Sequence, residues 1–214
     1  MSSAHPSAVP SRGSDPEAPG FESSAAAVAR LGGAPLLDAL ERRLPGARRH
    51  AEATGSYAFA AAVELGFARL DAELIREAAR LHEIGKLYVP VDVVTAPKAD
   101  LDAEDEARLN AQYAAAEGLA RGAGISEQVC PWLRAVGERF DGRAGDGLAG
   151  DRIPAEARII RGACMCDLVL AATDPRAPSA RGRLEAVRAL RQAAGGDLDP
   201  QVVGALASVL ARVR

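Results

Sequence analysis

The hexapeptide Leu81–Lys86 (LHEIGK) places an imidazole next to a carboxylate, with a lysine three residues further on. The chain has three histidines, and only His50 and His82 lie outside the N-terminal tail. Imidazole and carboxylate ligands that converge from several helices suit a divalent metal that acts on a phosphoester. His50, His82 and Glu83 are therefore predicted metal ligands. The alternative is that both histidines are ordinary polar groups satisfied within the core.

Hydrophobic periodicity predicts the helices that hold these side chains. His50 falls on the apolar face of a helix at 47–66. The next helix is predicted to begin with Asp71 as its N-cap and to carry His82 at the end of its apolar stripe. The spacing of the two histidines suits neighbouring helices of a hairpin. Gly85 is then predicted to let the chain turn away from the second helix.

A cysteine and an aspartate on a later helix are further candidates for the site. Cys164 and Asp167 are three residues apart on a predicted helix at 154–173, so they share a face. Cys164 and Cys166 lie about 200° apart around the same helix, so they are not predicted to bind one metal together. The alternative for each cysteine is a small buried hydrophobic residue.

The remaining pattern predicts an all-α protein. Residues 1–23 are rich in Ser, Pro, Gly and Ala and show no apolar period, so they are predicted to form a disordered tail before a helical domain at 24–214. A loop is expected around Pro90 and Pro97. The sequence gives no strand signal other than that of a small hairpin near 140–153. Further helices are predicted around Leu36 to Leu40, ending before Pro45, and at 103–121, 126–139, 180–194 and 200–213.

Composition limits the possible partners and compartments. The net charge of −3 gives no reason to expect nucleic acid or an anionic membrane as a partner. No apolar run approaches the ~20 residues that a membrane-spanning helix needs. Three cysteines are an odd number, which argues against a disulfide framework and fits a reducing cytoplasm. A cytoplasmic protein without nucleic-acid or membrane partners is therefore expected.

From about Leu44 to its end, the chain resembles an HD-GYP domain, the cyclic di-GMP phosphodiesterase branch of the HD phosphohydrolase superfamily. Residues 45–67 resemble the first ligand helix, and residues 74–95 resemble the signature helix with its following loop. ERFDG at 138–142 and GDGLAGDRIPAEARII at 145–160 resemble the stretch around the namesake loop. The resemblance implies an HD-superfamily helical bundle in which His50 is the first metal histidine.

The sequence departs from the family at most of the other metal positions. Glu83 stands where the family has aspartate, and Cys164 aligns with the late aspartate ligand. The histidine expected near 110–113 is absent, and Val136 and Gly137 replace a pair of histidines. The Gly-Tyr-Pro triplet is also missing. A multinuclear iron or manganese site is therefore not expected, and without a second metal the clamp on the attacking and leaving oxygens is lost.

Three functional hypotheses follow from the resemblance and its gaps. The first is a catalytically inactive domain that acts in bacterial signalling by binding a partner protein or a cyclic dinucleotide. The second is a mononuclear phosphohydrolase that holds one divalent metal, with zinc favoured, through His50, His82, Glu83 and Cys164. The third is a nucleotide sensor that binds phosphate without cleaving it. Related domains often pair, so a homodimer stays open.

The last two hypotheses assign roles to side chains around the metal position. In the phosphohydrolase, Lys86 or Asp167 would contact a phosphate or an activated water and would be the catalytic residues. In the sensor, the cations that could bind phosphate are Lys86, Arg139, Arg143 and Arg158.

Overall fold

The computed structural model describes residues 24–174 and 179–212, so the predicted tail at 1–23 lies outside the described residues. Within these ranges the chain forms α-helices and short 3₁₀ turns without a strand, which confirms the all-α prediction. The helices are α1 (Ser24–Arg43), α2 (Ala47–Glu64), α3 (Arg69–Leu81), α4 (Val91–Thr95), α5 (Ala103–Asn110), α6 (Gln112–Gly122), α7 (Cys130–Ala135), α8 (Ala155–Thr173), α9 (Ala180–Ala193) and α10 (Pro200–Arg212).

The centre of the fold is the packing of α2 against α3 on one side and α8 on the other. Alanines form much of the contact face of α2 and α3, and those that are fully buried include Ala58, Ala61 and Ala62 on α2. Small side chains let helix axes approach closely, because the distance between packed helices depends on the residues at the contact. α9 and α10 pack against α8, and α6 packs against α7 and the 3₁₀ turn Ile84–Tyr88. No helix in the described ranges has the length and apolar character needed to cross a bilayer.

Several predicted helix boundaries were wrong. The N-cap of α3 is Ala68, and Asp71 lies inside the first turn, where its charge still favours the positive end of the helix dipole. The predicted helix at 103–121 is divided at Ala111 into α5 and α6. α1 is longer than predicted and contains Pro35.

The later connections also differ from the prediction. α7 covers only Cys130–Ala135 of the predicted helix at 126–139. The segment at 140–153 forms turns and the 3₁₀ turn Gly150–Arg152 instead of a hairpin. The buried carboxylate of Glu138 organises these turns by accepting the backbone N–H groups of Asp146 and Leu148 at 2.6 and 3.1 Å. Since a side chain supplies these hydrogen bonds, the segment needs no strand pairing.

Position 85 needs a glycine because the backbone of α6 packs directly against it, and not because the turn there requires one. The φ angle of Gly85 is not positive, so the turn away from α3 does not use the left-handed conformation that glycine allows. A Cβ atom at this position would lie 1.8 Å from the carbonyl oxygen of Gln112 and 2.8 Å from the nitrogen of Ala116. The backbone after the histidine motif therefore lies directly against α6.

We expect Gly85→Ala to lower the free energy of unfolding by about 1–3 kcal/mol, because the added methyl group meets backbone that must move. Gly118 provides the matched control, since it is exposed on α6 and a Cβ atom there would meet nothing within 4 Å. Gly118→Ala should instead stabilise the protein by up to about 1 kcal/mol through helix propensity. Urea denaturation measures both variants, and equal stability of Gly85→Ala and the unmodified protein would contradict this account.

Candidate metal centre

Packing of α2 against α3 brings the two histidines together. His50 lies in the first turn of α2, and His82 directly follows the last residue of α3. Both are buried, with 7% and 3% exposure respectively. Their ring centroids are 5.2 Å apart. The two helices that carry the histidines therefore pack as the predicted hairpin.

The hydrogen bonds of each ring leave the Nε2 atoms facing a common space. His50 Nδ1 lies 2.7 Å from Asp167 Oδ2, and His82 Nδ1 lies 2.7 Å from the carbonyl oxygen of Ala79. A carboxylate or carbonyl behind the imidazole is the usual outer-shell arrangement of a metal-binding histidine, since it fixes the ring and its tautomer. Among the described residues, His82 Nε2 is buried without a hydrogen-bond partner. A buried imidazole nitrogen that is left without a partner fits a metal ligand.

Glu83 and Cys164 complete a set of four donors. Glu83 Oε1 lies 3.8 Å from His50 Nε2 and 3.9 Å from His82 Nε2, and Cys164 Sγ lies 3.6 Å from His50 Nε2. One donor atom from each of the four residues lies within 4.8 Å of all the others. Ligands on a tetrahedral zinc ion are separated by about 3.4–3.6 Å, given the usual Zn–N, Zn–O and Zn–S lengths. The donor set therefore fits a single zinc ion after a small contraction.

The electrostatics of the cluster favour two anionic donors. Burial opposes ionisation of the Cys164 thiol, but the charge of His82 and a hydrogen bond with His50 lower its pKa to about 6. Burial also works against the ionised form of Glu83, yet the charges of His82, Lys86 and His50 lower its pKa below the ordinary value. A thiolate and a carboxylate would together balance the charge of a divalent cation, and a thiolate favours zinc over magnesium or manganese.

His50 is coupled to the same charges. Burial alone lowers the pKa of His50, but the hydrogen bonds to Asp167 and Cys164 and the charge of Glu83 raise it to about 10. A proton on Nε2 would occupy the position that a metal takes, so metal binding must displace that proton.

Lys86 and Asp167 occupy different positions around the four donors. Lys86 forms an ion pair with Glu83. Asp167 is 4% exposed and lies behind His50, with its other oxygen 3.5 Å from Arg49 Nη1. This geometry favours a role for Asp167 in holding His50, and contact of either residue with a phosphate stays a prediction.

A cavity of about 400 Å³ adjoins the cluster. Its lining includes His50, Glu83, Lys86 and Arg43, together with apolar side chains from α4 and from the connection between α1 and α2. Of the four cations predicted for phosphate binding, Lys86 alone belongs to this lining. Arg158 instead pairs with Asp151 and Asp199, Arg139 pairs with Asp141, and Arg143 is exposed.

Tyr113 and Arg161 lie near Cys164, next to Gly137 and Val136 respectively. A Cβ atom on Gly137 would lie 2.5 Å from Tyr113 Cδ2, so the ring packs directly on this glycine. Burial raises the pKa of Tyr113, whose hydroxyl interacts with Arg161 and lies within electrostatic reach of Cys164 and Glu83. The interpretation of the sequence overlooked both side chains, because neither belongs to a motif of residues close in the chain.

Arg161 is held in this position by two hydrogen bonds. It donates to the carbonyl oxygen of Val136 at 2.8 Å and to Asp197 Oδ1 at 2.6 Å. The ion pair with Asp197 therefore fixes the Arg161 guanidinium beside α7, next to Val136 and Gly137.

The comparisons with known proteins agree with this fold. Bd1817, an HDG"Y"P protein from Bdellovibrio bacteriovorus, superposes with a TM-score of 0.62 at 19% identity over 77% of this chain, which spans 52% of that protein. The HD domain of the phosphodiesterase PgpH from L. monocytogenes gives a TM-score of 0.57 at 15% identity, covering 83% of this chain and 95% of that domain. Its complex with cyclic-di-AMP gives 0.58 at 16% identity, covering 82% and 93%.

At these identities the structural matches show the fold alone. No curated protein matches the sequence. The family model for the HD domain matches residues 35–202, which is most of the chain and includes all four donors. The chain therefore belongs to the HD domain family.

Proposed function

We propose that this chain is a zinc-binding HD domain that does not hydrolyse cyclic dinucleotides and acts in signalling by binding a protein or a nucleotide. The observation that carries the proposal is the convergence of four protein donors, namely His50, His82, Glu83 and Cys164. Zinc is usually four-coordinate, and a site filled by four protein ligands keeps no open position for a water or substrate. Such a centre stabilises a fold instead of performing hydrolysis.

The surroundings of the cluster support the absence of hydrolysis. Two metals about 4 Å apart clamp both oxygens of a phosphoester displacement, and each needs its own ligands. Here Val136 and Gly137 supply no donor side chain, and the ring of Tyr113 packs against Gly137. Arg161 donates a hydrogen bond to the carbonyl oxygen of Val136, so this backbone oxygen is already engaged and the position offers no ready ligand to a second cation.

Nucleotide binding without cleavage is supported by the cavity beside the cluster. Its volume of about 400 Å³ is within the range of small-molecule sites, and Lys86 and Arg43 lie in its wall. Lysine and arginine are the usual partners of phosphate oxygens. The PgpH HD domain, which has a similar fold, was solved with cyclic-di-AMP. A cyclic dinucleotide is therefore the first ligand to test.

The test combines binding and hydrolysis measurements on the same zinc-loaded protein. Calorimetric titration with cyclic di-GMP and cyclic di-AMP is expected to show binding of at least one dinucleotide, while chromatography after prolonged incubation detects no cleavage product. Lys86→Ala should weaken binding at least about tenfold, because it removes a charged partner. Arg143→Ala, an exposed cation outside the cavity, should not. Cleavage supported by zinc, iron or manganese would contradict the proposed function, and absence of dinucleotide binding would leave a protein partner as the ligand.

Asp167 is expected to control zinc affinity through His50. Asp167→Asn keeps the size of the side chain but removes the charge that orients the imidazole, and loss of such an outer-shell partner typically weakens metal binding about 10–100-fold. Arg49→Ala removes a mostly exposed side chain that also contacts Asp167, and it should change affinity no more than about fivefold. Competition with a chromogenic chelator measures both values. Equal affinity of Asp167→Asn and the unmodified protein would show that this hydrogen bond has no role in metal binding.

A mononuclear phosphohydrolase is the second candidate, favoured by one observation. The cavity reaches His50 and Glu83, so a phosphate in it would lie beside two of the four donors. If one donor leaves the metal, Lys86 is positioned to neutralise a phosphate oxygen at that opening. Turnover of a phosphomonoester such as p-nitrophenyl phosphate by the zinc-loaded protein, lost in Lys86→Ala but retained in Arg143→Ala, would establish this activity.

A further inference from the structure

The candidate centre contains one donor that differs chemically from the other three. Imidazole and carboxylate ligands resist mild peroxides, whereas a cysteine thiolate is oxidised by them in proportion to its ionisation and exposure. Cys164 is partly exposed, while Cys130 and Cys166 are fully buried. Of the three cysteines, Cys164 is therefore the most accessible to a small oxidant.

We propose that Cys164 is a site of peroxide oxidation and that this oxidation releases the metal from the centre, an inference that rests on the zinc site proposed above. The Cys164 sulfur attacks one oxygen of hydrogen peroxide, an S–O bond forms and the O–O bond breaks. The sulfur loses two electrons and becomes sulfenic acid. Hydroxide is the reduced product and is protonated to water by the solvent.

Loss of the thiolate removes one of the two negative charges of the donor set. A sulfenic acid is a neutral and weaker ligand, so two imidazoles and Glu83 remain. In the part of the chain that the structure describes, His82 Nε2 has no hydrogen-bond partner. The bound metal ion is therefore what would connect this imidazole to the other three donor side chains. Release of the metal would therefore loosen the junction between α2, α3 and α8.

The oxidised form should persist until an external thiol reduces it. Cys166 is two residues further along α8 and lies about 200° around the helix axis, so it cannot reach Cys164 to form a disulfide. Cys166 is also fully buried among core side chains. Reduction by a small thiol followed by added zinc is expected to restore the centre, which makes the modification reversible.

The experiment follows zinc release from the zinc-loaded full chain during titration with hydrogen peroxide. A chromogenic chelator reports zinc, and dimedone labelling with peptide mass spectrometry locates the sulfenic acid, which keeps it distinct from oxidised Met165. Release of most of the bound zinc together with dimedone labelling of Cys164 is the expected result. In a parallel sample without dimedone, dithiothreitol and added zinc should restore the centre. Cys166→Ser should behave like the unmodified chain.

Cys164→Asp restores the carboxylate of the family and should keep its zinc at every peroxide concentration. Should this variant not fold, labelling and zinc release in the unmodified chain still decide the matter. Zinc that stays bound while Cys164 is fully labelled, or labelling only at other cysteines, would overturn the inference while leaving the zinc site intact. A protein that binds no zinc before peroxide is added would overturn the zinc site and this inference together.

Discussion

Cys164→Ser is expected to weaken zinc binding at least about 100-fold, because even an outer-shell partner of a metal ligand contributes about 10–100-fold. Serine keeps the size of the side chain, so the packing of α8 against α2 should change little. The hydroxyl, however, is a poor replacement for an anionic thiolate, whose pKa the charge of His82 and the hydrogen bond with His50 hold near 6 against the effect of burial. Competition with a chelator of known zinc affinity measures the loss.

Cys166→Ser is the matched control for this substitution. It makes the same chemical change two residues further along α8, on the side of the helix that faces the core. We expect it to lower stability, since a buried thiol is exchanged for a hydroxyl without an assured partner, and to leave zinc affinity within a few-fold of the unmodified value. Unchanged zinc affinity in Cys164→Ser would remove Cys164 from the ligand set.

Removal of zinc is expected to lower Tm by about 8–16 °C. A ligand present at 1,000 times its Kd stabilises the folded state by about 4 kcal/mol. For a domain of this size, each kcal/mol corresponds to about 2–4 °C in Tm. The effect should be local in origin, because the four donors come from α2, from the residues directly after α3 and from α8, which pack against one another at the centre of the fold.

The variant His82→Ala tests whether this stabilisation comes from the proposed centre. Its Tm should be low with or without a chelator, since the variant lacks the ligand whose Nε2 is otherwise buried and unpaired in the described structure. Differential scanning calorimetry at fixed free zinc gives both values. An equal chelator effect in His82→Ala and in the unmodified protein would show that zinc binds elsewhere.

The sequence allowed the fold class and the helices around the site to be predicted, for identifiable reasons. Hydrophobic periodicity is strong in α3 and weaker in α2 and α8, and the motif after α3 carries the family resemblance. Cys164 and Asp167 share a face because they are three residues apart, and both contact His50 in the structure. Whether these residues bind a metal stays a prediction.

Other features depend on contacts between residues far apart in the chain. The packing of Tyr113 on Gly137 is visible only when α6 lies against the end of α7, so periodicity alone could not reveal it. Gly85 resembled a helix terminator, but the backbone of α6 fixes its identity. No Pro or Gly stands at or next to Ala111, so no local signal in the sequence marks the division between α5 and α6.

The most direct test of the zinc centre is metal content per chain, measured by plasma mass spectrometry on protein purified without chelators or a histidine tag. The account predicts about one zinc per chain in the unmodified protein and in Cys166→Ser, and a large loss in Cys164→Ser. Two iron or manganese ions per chain would contradict it and would point to a phosphodiesterase centre with ligands beyond the four donors. A protein without metal that also fails to bind added zinc would equally contradict it.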